Sequence, residues 1–162
     1  MLLSESQIVI RLLTALLIGA ILGFERSKAK KPAGIRTHAL VCIASTMISI
    51  VSAYGFGEML AYSSVSLDPA RLIVGIITGI GFLWAGIIWK DSSYGDVRGL
   101  TTAANIWASA GLGISIGLGH YFLAFATVAV IQVALNTAQV LIKIGLLKHD
   151  TEDRRVFDRS RD

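Results

Sequence analysis

Glu25 and Asp96 are the acidic residues of this chain that are best placed for chemistry, because each lies beside long apolar segments. With their neighbours they form a charged cluster that the topology derived below brings to one membrane face: Glu25, Arg26, Arg36, His38, Asp96 and Arg98. Carboxylates among several cations suit an ion-pair network that closes a helix bundle. They also suit a weak site for hydrated Mg²⁺, with Glu25 and Asp96 as its ligands, or a site for an anionic ligand or lipid headgroup.

A catalytic role is not supported by the residue types. His38 is able to change charge near neutral pH, but we expect it to be a solvated histidine at the membrane interface. The sequence contains no nucleophile–base pair at a usable spacing and no phosphate-binding loop. The single cysteine, Cys42, is not part of a metal-ligand spacing pattern. We therefore predict a protein that is not an enzyme and has no resident cofactor, with Mg²⁺ as a transported or weakly bound ion.

Polar side chains also recur at helical spacing within three apolar segments, so each set shares one helix face. Such faces avoid lipid and are expected to turn inward. Interhelical hydrogen bonding is one explanation, and we favour it for the serines of the second segment. For the amides a polar path for an ion is an equal alternative, with these candidate residues: Thr102, Asn105, Gln132, Asn136 and Gln139.

The composition predicts an all-α integral membrane protein. The chain is 54% hydrophobic and only 16% charged, with a mean hydropathy of +0.66, which is more apolar surface than a soluble domain of this size could bury. Apolar runs and Gly or Pro breaks predict five transmembrane helices and one polar loop. The helices cover residues 8–23, 37–56, 69–89, 101–117 and 121–147, and the loop covers 90–99. We expect a transmembrane domain over residues 1–147 and a short charged cytoplasmic tail over 148–162.

Basic residues concentrate between the first two helices, in residues 23–40, which predicts that this loop is cytoplasmic. Five spans then place the N-terminus outside and the C-terminus inside. Arg11 is expected to snorkel to the outer interface. Gly19, Gly23, Gly75 and Gly79 form small-residue ridges for close helix packing and a homo-oligomer. The positive charge reflects this topology and the lipid bilayer rather than binding of nucleic acid.

Four motifs in order resemble the MgtC/SapB family of membrane proteins. They are GFER at residues 23–26, AGIRTHAL at 33–40, GIGFLWAG at 79–86, and VRGLTTAA at 97–104 with Trp107. The resemblance covers about residues 8–145 and implies a multi-pass protein of the bacterial inner membrane. Longer members of the family carry a cytoplasmic domain after the last helix, and a chain that ends at Asp162 is expected to be the membrane domain alone.

The resemblance implies a function linked to magnesium limitation, acid tolerance or survival inside host cells. Its members are often described as Mg²⁺ transporters, so transport of Mg²⁺ or another cation is the first hypothesis. The alternative is a regulator that does not transport and instead binds another membrane complex, such as the proton-driven ATP synthase. A lipid-modifying enzyme is the least supported option, because no catalytic constellation accompanies the motifs.

Overall fold

The computed structural model describes residues 3–57, 68–90 and 97–144, and its contacts define two units, residues 1–128 and 129–162. The five predicted helices are confirmed: α1 Glu5–Lys28, α2 Ile35–Tyr54, α3 Ala70–Ile87, α4 Leu100–Gly117 and α5 Tyr121–Lys143. The boundary between the units falls within α5, and the predicted tail at 148–162 lies outside the described residues. The fold class is therefore all-helical, apart from one very short β ladder.

Helix α1 is longer than the apolar run predicts. Its N-terminus is fixed by a capping box, in which the Ser4 side chain accepts from the Gln7 backbone N–H while the Gln7 side chain accepts from the Ser4 backbone N–H. At the other end Arg26 and Lys28 occupy the last turn, where basic side chains interact favourably with the negative end of the helix dipole. Glu25 and Arg26 thus lie on a helix and not in the loop that the sequence predicts.

Helix α2 lies between α1 and α4, in close backbone contact with both. A Cβ built on Gly19 would be 2.7 Å from Ala39 Cα, and one built on Gly23 would be 2.7 Å from the Gly34 carbonyl oxygen. Because higher numbers on α1 meet lower numbers on α2, these two helices are antiparallel. Two glycines of α4 make the same approach to the other side of α2 with ascending numbers, so α2 and α4 are parallel: Gly113 meets Cys42, and Gly117 meets Thr46 and Ser49.

Helix α3 attaches to this three-helix core by an apolar cluster. Ile76 and Ile80 of α3 pack in one buried group with Val41 of α2 and with Ile106 and Ala110 of α4. The rest of α3 is mostly exposed, including Phe82, whose exposed fraction is 84%. An apolar surface of this kind is what a lipid-facing helix presents.

A short antiparallel ladder connects α3 and α4, where the sequence predicts only a loop. Strand β1, Trp89–Lys90, pairs with β2, Val97–Arg98. Gly99 follows β2 with a φ of +89° and starts α4, and a side chain there would collide with the Ile87 carbonyl oxygen. The ladder and Gly99 together bring the end of α3 to the beginning of α4.

Three of the described helices, α1, α2 and α3, are long and apolar enough to cross a membrane. In α5 the apolar stretch that qualifies, Tyr121–Thr137, is shorter than this. The protein is therefore an integral membrane protein by its helices, and spanning by α4 and α5 stays a prediction.

Gly19 and Gly79 provide a matched test of this packing, because a Cβ at Gly79 would meet nothing within 4 Å in the described part of the chain. We predict that Gly19→Leu lowers the free energy of unfolding by about 1–3 kcal/mol or more, as overpacking does. Gly79→Leu is expected to leave it nearly unchanged. Thermal unfolding of both variants in the same detergent measures the difference, and equal destabilisation would contradict the assigned helix contacts.

Candidate functional site

The candidate site is a buried polar face between α2 and α4, which we call the polar stripe. Helical spacing places its residues on the sides of α2 and α4 that turn away from lipid, as the sequence predicts. All of its members are at most 4% exposed: His38, Ser45, Thr46, Ser49, Ser52, Thr102, Asn105 and Ser109. The polar stripe runs the length of both helices, so it has two ends.

Arg26 closes the end formed by the N-termini of α2 and α4, which we call the Arg26 end. Its guanidinium is buried, and Nη2 donates to Thr102 Oγ1 at 3.3 Å. Nη1 also lies 3.5 Å from Glu25 Oε2 in an ion pair. Among the described residues neither Arg26 Nε nor Glu25 Oε2 has a hydrogen-bond partner. The Glu25 carboxylate therefore keeps acceptor capacity for another ligand or for water.

His38 and Asn105 form the next layer of the polar stripe. Asn105 Nδ2 lies 3.1 Å from His38 Nε2, and His38 Nδ1 lies 2.8 Å from the Gly34 carbonyl oxygen. A carbonyl only accepts, so Nδ1 carries the proton, and Nε2 accepts from the amide. His38 is fully buried, so the expected solvated histidine is wrong. The Gly34 carbonyl, one helical turn before His38, and the Asn105 side-chain amide of α4 provide a hydrogen bond to each ring nitrogen without water.

The middle of the polar stripe is closed by direct contacts between the helices. Thr46 Oγ1 of α2 donates across to the Gly113 carbonyl oxygen of α4 at 2.9 Å, whereas Ser109 Oγ donates within α4 to the Asn105 carbonyl oxygen at 3.0 Å. Cys42 is fully buried beside them. At the glycines of α4 the two helices thus pack directly against each other, and the polar stripe is closed at this level.

Arg11 closes the opposite end, which we call the Arg11 end. Only 8% of Arg11 is exposed; Nη1 donates to the Gly117 carbonyl oxygen at 2.5 Å, and the guanidinium lies 5.1 Å from the centre of the Tyr54 ring. The expectation that Arg11 snorkels outward is therefore wrong. The C-terminal ends of α2 and α4 supply a carbonyl, two favourable helix dipoles and an aromatic face close to the guanidinium.

The remaining predicted residues are distributed as follows. Arg36 is exposed on the first turn of α2. Asp96 lies outside the described residues, and only the backbone of Arg98 is described. Within the second unit, Asn136 Nδ2 donates to the Gln132 carbonyl oxygen at 2.8 Å, and the side chain of Gln139 is not among those described. The structure therefore brings Glu25, Arg26 and Thr102 together and pairs His38 with Asn105.

Gly75 and Gly79 differ from the other predicted packing glycines. Gly19 and Gly23 contact the α2 backbone, whereas a Cβ at Gly75 or Gly79 would meet none of the described residues within 4 Å. Among the described residues, no three His, Cys, Asp or Glu side chains are grouped so that they could hold a metal ion.

Sequence reasoning missed the roles of Arg11, Thr46 and Tyr54. An arginine within an apolar helix is itself a signal, because an ionisable residue there needs a partner inside the bundle. Thr46 lies next to the predicted stripe position Ser45, and its contact requires the absence of a side chain at Gly113. That contact depends on the alignment of two helices, which spacing along one helix does not reveal.

These features define a class: an integral membrane protein with a closed helical bundle, a buried polar stripe and an arginine at each end. The profile of the MgtC family matches residues 12–144. The chain is 42% identical over 118 residues to the "Putative magnesium transporter YhiD" of Escherichia coli strain K12, covering 73% of this chain and 54% of that protein. The chain belongs to the MgtC family.

Two further relatives agree with this assignment. Protein SapB of Bacillus subtilis strain 168 is 38% identical over 153 residues, covering 94% of this chain and 66% of SapB. Protein MgtC of Salmonella typhimurium strain LT2 is 39% identical over 127 residues, covering 78% of this chain and 50% of MgtC. The chain thus spans about half to two thirds of the length of these relatives. No solved structure matches the chain.

The hydrogen bonds of His38 predict its tautomer. We expect neutral imidazole with the proton on Nδ1, because Gly34 accepts from Nδ1 and Asn105 donates to Nε2. Solid-state NMR of ¹⁵N-histidine-labelled protein in lipid measures this directly, with His38→Gln to assign the signal. Asn105→Leu should move the Nε2 resonance, since it removes the donor. A proton on Nε2 in the wild type would contradict the assigned pairing.

Proposed function

We propose that this protein transports a cation, Mg²⁺, across the bacterial inner membrane. The proposal rests on the Glu25 carboxylate at one end of the buried polar stripe, whose Oε2 is ion-paired with Arg26 but has no hydrogen bond among the described residues. A relative that is 42% identical is named as a putative magnesium transporter, which supports Mg²⁺ as the ion. In the orientation that the basic loop favours, the Arg26 end faces the cytoplasm.

In this proposal Glu25, with Asp96, attracts the hydrated ion electrostatically and through its waters. Thr102 and Asn105 of the polar stripe would line its path. The described structure corresponds to a closed state, because Arg26 is bonded to Thr102 and Thr46 is bonded to Gly113. Movement of an ion along the polar stripe requires α4 to separate from α1 and α2 at these contacts.

Glu25→Gln tests this role. We predict that purified protein in liposomes raises Mg²⁺ entry, reported by a trapped fluorescent indicator, and that Glu25→Gln reduces the rate several-fold because it removes the negative charge at the mouth. Glu5→Gln is the matched control, since Glu5 is an exposed acid in the first turn of α1. The wild-type protein giving no Mg²⁺ flux under any ion or voltage gradient would contradict transport.

A second candidate is a regulator that binds another membrane complex and does not transport, which is consistent with the closed packing of the polar stripe. The support is that His38 and Thr46 of α2 are hydrogen-bonded to α4, whereas among the described residues a Cβ at Gly75 or Gly79 of α3 would meet nothing within 4 Å. The proton-driven ATP synthase is the partner that the family resemblance suggests. An open glycine face allows close approach of a partner helix.

Gly79→Leu tests the second candidate, because a bulky side chain there fills the open face without touching the bundle. We predict that cross-linking in the membrane followed by affinity capture recovers ATP synthase with the wild type and several-fold less with Gly79→Leu. Gly111→Leu is the control, since Gly111 is an open glycine on α4. Recovery of this protein alone would contradict the regulator, and equal recovery with both variants would contradict the α3 face.

A further inference from the structure

Arg11 is a buried cation without a carboxylate partner among the described residues. Its contacts are a backbone carbonyl, at Gly117, and the ring of Tyr54. Both lie at the last residue of a helix, since α2 ends at Tyr54 and α4 at Gly117. The partial negative charge of two helix C-termini therefore takes the place of a counter-ion. One side chain of α1 thus holds the ends of α2 and α4.

The turn after α4 is built around the same guanidinium. Gly119 has a φ of +87°, and a Cβ on it would lie 3.1 Å from Arg11 Nη2. The turn thereby passes directly over Arg11, in a backbone conformation that residues other than glycine rarely adopt. Arg11 is consequently enclosed on the α4 side by backbone, and it leaves its place only if the end of α4 moves.

Ser49 lies within the polar stripe immediately inside this contact. It is fully buried, and a Cβ on Gly117 would be 2.6 Å from Ser49 Cβ. Its hydroxyl has no hydrogen-bond partner among the described residues. Gly117 therefore shields Ser49 from water. Arg11 in turn fixes Gly117 through the hydrogen bond to its carbonyl oxygen.

We propose that Arg11 is a lock that seals the polar stripe at the Arg11 end by holding the C-terminus of α4 against α2. Release of the guanidinium lets the end of α4 move away, which exposes Ser49 from that side. Cys42, two turns of α2 farther from the Arg11 end, stays covered by the Gly113 backbone and by Gly19 of α1. The lock is a property of the bundle and goes beyond either proposed function, since it operates whether or not an ion moves.

The test uses cysteine reactivity, because Cys42 is the single cysteine of the chain. Cys42→Ala with Ser49→Cys creates a reporter at the Arg11 end, and a small cationic methanethiosulfonate reagent is applied to the full chain in liposomes. We expect Arg11→Gln to accelerate labelling at Ser49→Cys by roughly tenfold or more, the effect of losing a charged hydrogen bond. Arg71→Gln, an exposed arginine on the first turn of α3, is expected to have no effect.

A second reporter distinguishes local opening from general loosening. With native Cys42 as the only thiol, Arg11→Gln should leave labelling as slow as in the wild type. Tyr54→Leu keeps the hydrogen bond from Arg11 to Gly117 and should give an intermediate labelling rate at Ser49→Cys. If Arg11→Gln does not fold, Tyr54→Leu is the variant that tests the lock. The lock is overturned if neither Arg11→Gln nor Tyr54→Leu accelerates labelling at Ser49→Cys. It is equally overturned if labelling accelerates as much at Cys42.

Discussion

The close approach of α2 to both of its neighbours is the constraint on which the rest of this structure depends. Gly19 and Gly23 admit the α2 backbone on one side, and Gly113 and Gly117 admit it on the other. Because a single Cβ at these positions would overlap backbone atoms, the helices cannot keep these distances with any larger residue. The burial of the polar stripe, its hydrogen bonds and the positions of both arginines follow from that spacing.

Burying polar groups between helices is favourable only when they are paired, since lipid offers no replacement for water. Thr46 and the His38–Asn105 pair meet that condition across α2 and α4. The two arginines meet it differently, because Arg26 has a carboxylate beside it and Arg11 relies on helix C-termini. A transporter built on this bundle must break such contacts to conduct, whereas a regulator would keep them. The two proposed functions therefore differ in whether α4 moves.

The helices and their inward faces were predictable from sequence, because apolar runs, glycine breaks and 3.6-residue periodicity act within one segment. That periodicity predicts an inward face for Asn105, whereas from the sequence His38 is expected to be solvated at the interface. Their pairing was not predictable, since it depends on how two helices align. Arg11 was placed in lipid headgroups because a single apolar segment does not show the helix ends that other segments bring to it. The β1–β2 ladder was missed because two-residue strands carry no periodic signal.

The accessibility of native Cys42 directly tests whether α2 is sealed between α1 and α4. Cys42 is fully buried and needs no substitution to serve as a probe. The measurement is the rate at which a small water-soluble thiol reagent labels the wild-type protein in lipid, compared with the same protein in denaturing detergent. We predict negligible labelling in lipid and complete labelling after denaturation. Rapid, complete labelling in lipid would show that water reaches the polar stripe and would contradict it.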